Sequence, residues 1–92
     1  MDRHVYIEKL KAQIDKWDTQ LDLMKARMEK ADAATRKRIQ DKVNEFRVKL
    51  ESAKEQQRKL HEAASEAWEE LKETTDALWV DLKNSAQEIY SA

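Results

Sequence analysis

Histidine is the side chain best suited to bind metal or to transfer protons near neutral pH, and the chain has only two, His4 and His61. A di-iron helical bundle uses Glu-x-x-His pairs together with further inward glutamates. Arg58 occupies the position three residues before His61, and His4 lies too near the start of the chain for such a pair. Cysteine is absent, which removes thiolate and disulfide chemistry. We therefore expect no enzyme: no catalytic residues, no metal and no cofactor.

Two clusters of like charge could bind ions or phosphate. Asp15, Asp18 and Asp22 fall on one flank of a helix, where a solvated face is their ordinary role. The basic run at residues 36–38 has no aromatic side chains interleaved with it. The net charge is −1 although 40 % of the residues are charged. Overall charge therefore gives no reason to expect a nucleic-acid partner.

The elements that position these side chains are helices. The chain contains no glycine and no proline, the residues on which tight turns of sheet proteins depend. It is rich in alanine, glutamate, lysine, glutamine, leucine and arginine, the strongest helix formers. This composition, together with the apolar periodicity described next, is typical of coiled coils and long helices.

Apolar residues recur at alternating spacings of three and four along three stretches, which is the heptad pattern of packed helices. Weaker positions at Ala53, Gln57, Thr75 and Ser85 complete the second and third stretches. The predicted packing core consists of Ile7, Leu10, Ile14, Trp17, Leu21, Met24, Met28, Ile39, Val43, Phe46, Leu50, Leu60, Trp68, Leu71, Leu78, Leu82 and Ile89.

The phase of this pattern slips twice, and each slip could mark a turn. A turn near residues 33–34 brings Ile7 level with Leu60, and a second turn at residue 64 brings Leu60 level with Trp68. Asp32 and Ser65 are candidate N-caps for the second and third helices. The sequence therefore predicts a single all-α domain over residues 1–92, an antiparallel three-helix bundle with helices at about residues 2–31, 35–62 and 65–91.

Long extended coiled-coil helices in an oligomer are the alternative architecture, because a slip can also be absorbed in one continuous helix. A bundle would be about 42 Å long and a continuous helix about 138 Å at ~1.5 Å per residue. Charge supports the bundle. Residues 31–60 hold nine basic and five acidic side chains, whereas residues 61–92 hold two basic and eight acidic ones. Oppositely charged segments suit neighbouring packed helices.

A few apolar side chains fall outside the core pattern. Leu23, Val48 and Val80 point away from the stripes and are candidates for an oligomer contact. The rings of Trp68, Trp79 and Tyr90 recur every eleven residues along one edge of the third stripe. Eleven-residue periodicity also occurs in helices that lie on membranes, but here the polar face is acidic, so anionic lipid would repel it. Core packing is the better interpretation of these rings.

The chain resembles a family of small bacterial coiled-coil proteins, some of which are known as stress-response proteins. The resemblance covers nearly the whole chain and is carried by the segments at residues 67–72 and 79–83 and by Tyr6, Leu10, Ile14 and Trp17. Related sequences often have glycine just before the first Glu-Ala-Trp, where this chain has Ala64 and Ser65. The resemblance implies a helical protein and brings no catalytic residues.

These observations together favour a non-enzymatic structural or protein-interaction bundle, with a possible link to stress. The expected partner is another helical protein or a second copy of the chain. The alternative is an amphipathic protein that binds membrane surfaces. No apolar run approaches membrane-spanning length, and the start of the chain has no apolar leader segment, so we expect a cytoplasmic protein.

Overall fold

The computed structural model describes residues 3–91. Three α-helices follow one another, α1 (Arg3–Lys30), α2 (Ala33–Glu62) and α3 (Ser65–Ser91). Helix α2 packs closely against both α1 and α3. The molecule measures 50 Å along its long axis and 18 Å along the other two. The predicted all-α three-helix bundle is confirmed, and the alternative of one extended helix is wrong.

The connection between α1 and α2 is two residues long and ends in a side-chain cap. The Asp32 carboxylate accepts a hydrogen bond from the Thr35 backbone N–H at 2.8 Å. The Asp32 carbonyl accepts from the N–H of Arg36 at 2.9 Å, so helix α2 begins at Ala33, two residues before its predicted start. Helix α1 ends one residue before its predicted end, and its predicted start at residue 2 lies outside the described residues.

Helix α3 begins without a side-chain cap. The carbonyl of Ala64 accepts from the N–H groups of Ala67 and Trp68, each at 3.1 Å. Ala64 therefore occupies the N-cap position, and Ser65 is the first helical residue. The expectation that Ser65 is the N-cap of α3 is wrong, because Ser65 already lies within the helix.

Arginine side chains close the ends of α1 and α2, where many helices use glycine. The Arg36 guanidinium donates to three backbone carbonyls at the end of α1. Arg3 donates to the carbonyls of Leu60 at 2.6 Å and His61 at 3.3 Å, at the end of α2. The last carbonyls of a helix lack intrahelical donors and carry partial negative charge, so a cation is favourable there. Within the basic run 36–38, Arg36 thus has a structural role.

The core runs the length of the bundle axis. Met28, Leu71 and Leu78 of the predicted core are half-buried, the last two packed against the cluster of buried side chains. Tyr6, Ala53, Thr75 and Ala86 are also buried. The remaining predicted core residues are all buried: Ile7, Leu10, Ile14, Trp17, Leu21, Met24, Ile39, Val43, Phe46, Leu50, Leu60, Trp68, Leu82 and Ile89.

Ion pairs join α2 to both of its neighbours. Lys49 Nζ lies 3.1 Å from Asp81 Oδ1 on α3, and Lys54 Nζ lies 2.9 Å from Asp18 Oδ1 on α1. The hydrogen bond to Asp18 raises the pKa of Lys54 above its usual value. Such partly exposed pairs contribute at most about 1 kcal/mol each to the free energy of unfolding. Their main effect is therefore to favour this arrangement of the helices over other arrangements.

None of the helices within residues 3–91 combines the length and apolar character needed to cross a lipid bilayer. In the same part of the chain, no three histidine or acidic side chains converge in a way that could hold a metal ion.

One side of α2 is buried and the other is exposed, so we expect substitutions of its buried residues to lower the free energy of unfolding much more than substitutions of its exposed residues. Phe46 is fully buried, so we expect Phe46→Ala to lower the free energy of unfolding by about 3–5 kcal/mol, measured by urea denaturation followed by circular dichroism. Val48 is 58 % exposed, and Val48→Ala should change the free energy of unfolding by less than about 0.5 kcal/mol. Phe46→Leu provides an intermediate loss that stays measurable where the alanine variant does not fold. Equal effects at the two positions would contradict the assigned core.

Candidate functional site

Helices α1 and α3 are held apart by aromatic side chains. Their backbones approach each other closely at few points, whereas each lies close along α2. Four rings occupy the space between them, Tyr6 and Trp17 from α1 and Trp68 and Trp79 from α3. Because interaxial distance depends on the side chains at the contact, these large rings widen the α1–α3 interface.

The four rings form a continuous row. Tyr6 meets Trp68 edge to face with ring centroids 5.6 Å apart, and Trp17 meets Trp79 in the same way at 5.8 Å. Tyr6 also lies 6.3 Å from Trp79 in a tilted arrangement, which links the two pairs. Edge-to-face aromatic pairs contribute about 0.5–1.5 kcal/mol each beyond the burial of their area. The row therefore both separates α1 from α3 and holds them together.

A polar contact fastens one end of this row. The Tyr6 hydroxyl donates to Asp76 Oδ1 at 2.6 Å, and Lys72 Nζ lies 3.2 Å from Asp76 Oδ2. The same ammonium lies 5.2 Å from the centroid of the Tyr6 ring. Burial, the hydrogen bond to Asp76 and the charge of that carboxylate all raise the pKa of Tyr6 above its ordinary value. The neutral phenol is thus the form that this contact requires.

The space left between α1 and α3 beyond Trp17 and Trp79 is an open groove of about 630 Å³. Helix α1 contributes Gln13, Trp17 and Gln20 to its lining. The α3 side is formed by Trp79, Lys83, Ala86, Gln87, Tyr90 and Ser91. We call this surface the α1–α3 groove.

The α1–α3 groove differs in composition from the rest of the molecule. Three of the chain's six aromatic residues line it, and Lys83 is its single charged residue. Nine residues drawn at the chain's 40 % charged share would include about four. None of these nine described residues carries a carboxylate, although the chain holds 19 acidic residues. Loss of charge and gain of aromatic rings characterise the centres of protein interfaces.

One buried acceptor in the groove has no partner. Gln20 Oε1 is buried and accepts no hydrogen bond from any residue between positions 3 and 91. Gln56 Oε1 and Trp68 Nε1 are buried without a partner in the same way among the described residues, so this property does not distinguish the groove from the rest of the bundle.

The three outward-pointing apolar residues do not form one surface. Leu23, Val48 and Val80 are each 58 % exposed. Leu23 follows Gln20 by three residues on α1, and Val80 precedes Lys83 by three residues on α3. Residues three apart are neighbours on a helix surface, so Leu23 and Val80 border the groove on its two sides. Val48 lies on α2, which contributes no residue to the groove, and the oligomer contact expected of the three residues stays a prediction.

The residues singled out for metal or acid–base chemistry form no site. His4 and His61 are exposed, and the His61 carbonyl accepts from Arg3. Asp18 is paired with Lys54, while Asp15 and Asp22 are exposed. These described side chains are therefore not brought together in one place.

The eleven-residue recurrence of Trp68, Trp79 and Tyr90 led us to expect core packing, which the structure shows for Trp68 but not for Tyr90, which is 42 % exposed. The three rings follow the edge of α3 that faces α1. The edge of α1 that faces α3 was missed, although Tyr6, Gln13 and Gln20 recur every seven residues along it. Because glutamine is polar, this flank of α1 shows no apolar periodicity from which it could be recognised.

The chain matches no protein-family model, no curated protein and no solved structure. The resemblance to small bacterial coiled-coil proteins therefore stays a prediction.

The contact between Tyr6 and Asp76 predicts a stability difference that depends on pH. We expect Tyr6→Phe to lower the free energy of unfolding by about 1 kcal/mol at pH 8, because the charge-assisted hydrogen bond is lost. Above pH ~10 the unfolded wild-type chain releases the tyrosine proton while the folded chain retains it, so wild-type stability falls and the phenylalanine variant lacks this loss. The gap between the two proteins should therefore shrink between pH 9 and pH 11 in urea denaturation. A gap that widens with pH would show that Tyr6 is not held as the neutral phenol.

Proposed function

We propose that the protein is a non-enzymatic protein-interaction bundle and that the α1–α3 groove is the surface with which it binds a helical segment of another protein. The observation that supports this is the composition of the groove, which combines three aromatic rings with a single charged side chain on an otherwise highly charged molecule. Grooves between helices commonly receive the apolar face of an amphipathic helix.

A partner that covers the groove would remove apolar surface from water, which favours binding. Trp79 is half-buried and Tyr90 is 42 % exposed, so both rings still present apolar surface to solvent. Large aromatic side chains that lose water on binding are the usual sources of affinity in interfaces. Val80 and Leu23 extend this apolar surface at the borders of the groove. Most of the remaining surface is charged and would lose water less favourably.

Two finer parts of the proposal come from the sequence alone. A cytoplasmic location follows from the lack of long apolar runs and of cysteine, and a link to stress follows from the resemblance to small bacterial coiled-coil proteins. The alternative, a protein that binds membrane surfaces through the whole tryptophan-rich stripe of α3, would require the bundle to open, because Trp68 is buried. Binding through the groove needs no such opening.

Site-specific photocrosslinking in the native host tests the groove as a binding surface. A photoreactive phenylalanine analogue replaces Gln87, which lies in the groove, or Asn44, which is exposed on α2. We expect discrete covalent adducts with another protein from position 87, identified by mass spectrometry, and none from position 44.

The two positions serve as each other's control because both lie on exposed helical surface. Circular dichroism of each variant checks that the bundle still folds. Adducts that form equally from both positions, or from neither, would contradict the proposed function.

A further inference from the structure

The charges around the α1–α3 groove specify the kind of helix that fits it. We infer that the partner segment is an acidic amphipathic helix of about three turns, which places its apolar face on the rings of the groove and its carboxylates beside Lys16 and Lys83. This inference rests on the proposed function, because it names the partner of the same groove. It goes further by assigning that partner a charge and a length.

The electrostatics of the groove are one-sided. Lys83 lines it, and Lys16 lies on the α1 border between Gln13 and Gln20, three residues after the first and four before the second. Neither lysine forms an ion pair within the described part of the chain. None of the nine described residues that line the groove carries a carboxylate, so the charged side chains there are positive. A partner that carries carboxylates on its flanks is attracted, and one that carries lysines is repelled.

The length of the groove matches a short helix. On α3 it extends from Trp79 to Ser91, which is about 18 Å at ~1.5 Å per residue. A helix of about three turns covers that distance and presents three or four apolar side chains on one face. Trp17, Trp79 and Ala86 lie at the floor of the groove to receive them.

The unpartnered acceptor at Gln20 adds no requirement. Gln20 Oε1 accepts no hydrogen bond from residues 3–91, but the atom is buried, so the partner needs no donor there. The charge of the flanks and the apolar face of the partner are therefore the two properties that the groove selects.

Two designed helical peptides of about fourteen residues provide the probe. They share one apolar face of leucine and alanine and carry either glutamate or lysine on both flanks. Each is titrated into the ¹⁵N-labelled full chain, and shifts of the Trp79 indole and Gln20 side-chain amide resonances report binding in the groove. We expect the glutamate peptide to bind about tenfold more tightly than the lysine peptide, because two exposed charge pairs change from attraction to repulsion.

Charge reversal at a single site provides the matched control. Lys83→Glu should lower the affinity for the glutamate peptide about fivefold and raise that for the lysine peptide, since one attraction becomes a repulsion. Lys37→Glu makes the same change on the exposed outer surface of α2 and should leave the ratio of the two affinities unchanged. A Lys37 effect as large as that of Lys83 would overturn the inference.

An occupant of the groove other than an acidic helix gives a different result in these experiments. Equal binding of both peptides in the groove would overturn the acidic partner and leave the proposed function standing. Groove resonances that shift with protein concentration alone, or with lipid vesicles, would assign the groove to a second copy of the chain or to a membrane and would overturn the inference. The segment crosslinked from position 87 gives the second measurement: a net negative amphipathic helix supports the inference and a basic segment overturns it. Absence of any crosslink there contradicts the proposed function itself.

Discussion

The separation of α1 from α3 by four aromatic rings is the constraint on which the rest of the structure depends. Helix α2 packs closely on both neighbours, and Ala53 and Thr75 allow close approach along the axis. The row from Tyr6 to Trp79 prevents α1 and α3 from approaching each other in the same way. The bundle is therefore tight on two sides and open on the third, and the open side carries surface with the character of an interface.

A helical chain without glycine has to close its helix ends by other means. Arg36 and Arg3 do so by donating to the carbonyls that end α1 and α2, and each reaches those carbonyls from a neighbouring helix. Arg3 also lies 5.9 Å from the centroid of the Trp68 ring, where a cation–π contact is favourable. One side chain thus connects the ends of all three helices at this end of the bundle.

The sequence predicted the fold more fully than the binding surface. Apolar periodicity and its two phase slips are properties of the core, and they indicated three antiparallel helices with turns close to the observed ones. The groove depends on residues such as Gln13 and Gln20, whose polar side chains carry no periodic apolar pattern. Its width depends on how rings from two distant segments pack, as Trp17 and Trp79 do. Spacing along one helix does not contain that information.

The order of contacts along the chain has a kinetic consequence. Both close helix pairs join sequence neighbours through two-residue connections, so each hairpin can form with little loss of loop entropy. The pairing of α1 with α3 requires both hairpins to be in place, and the chain has no proline whose isomerisation could delay it. We therefore expect the α1–α3 side to assemble last and to separate first in partial unfolding, so the side of the bundle that carries the groove should be its most adaptable part.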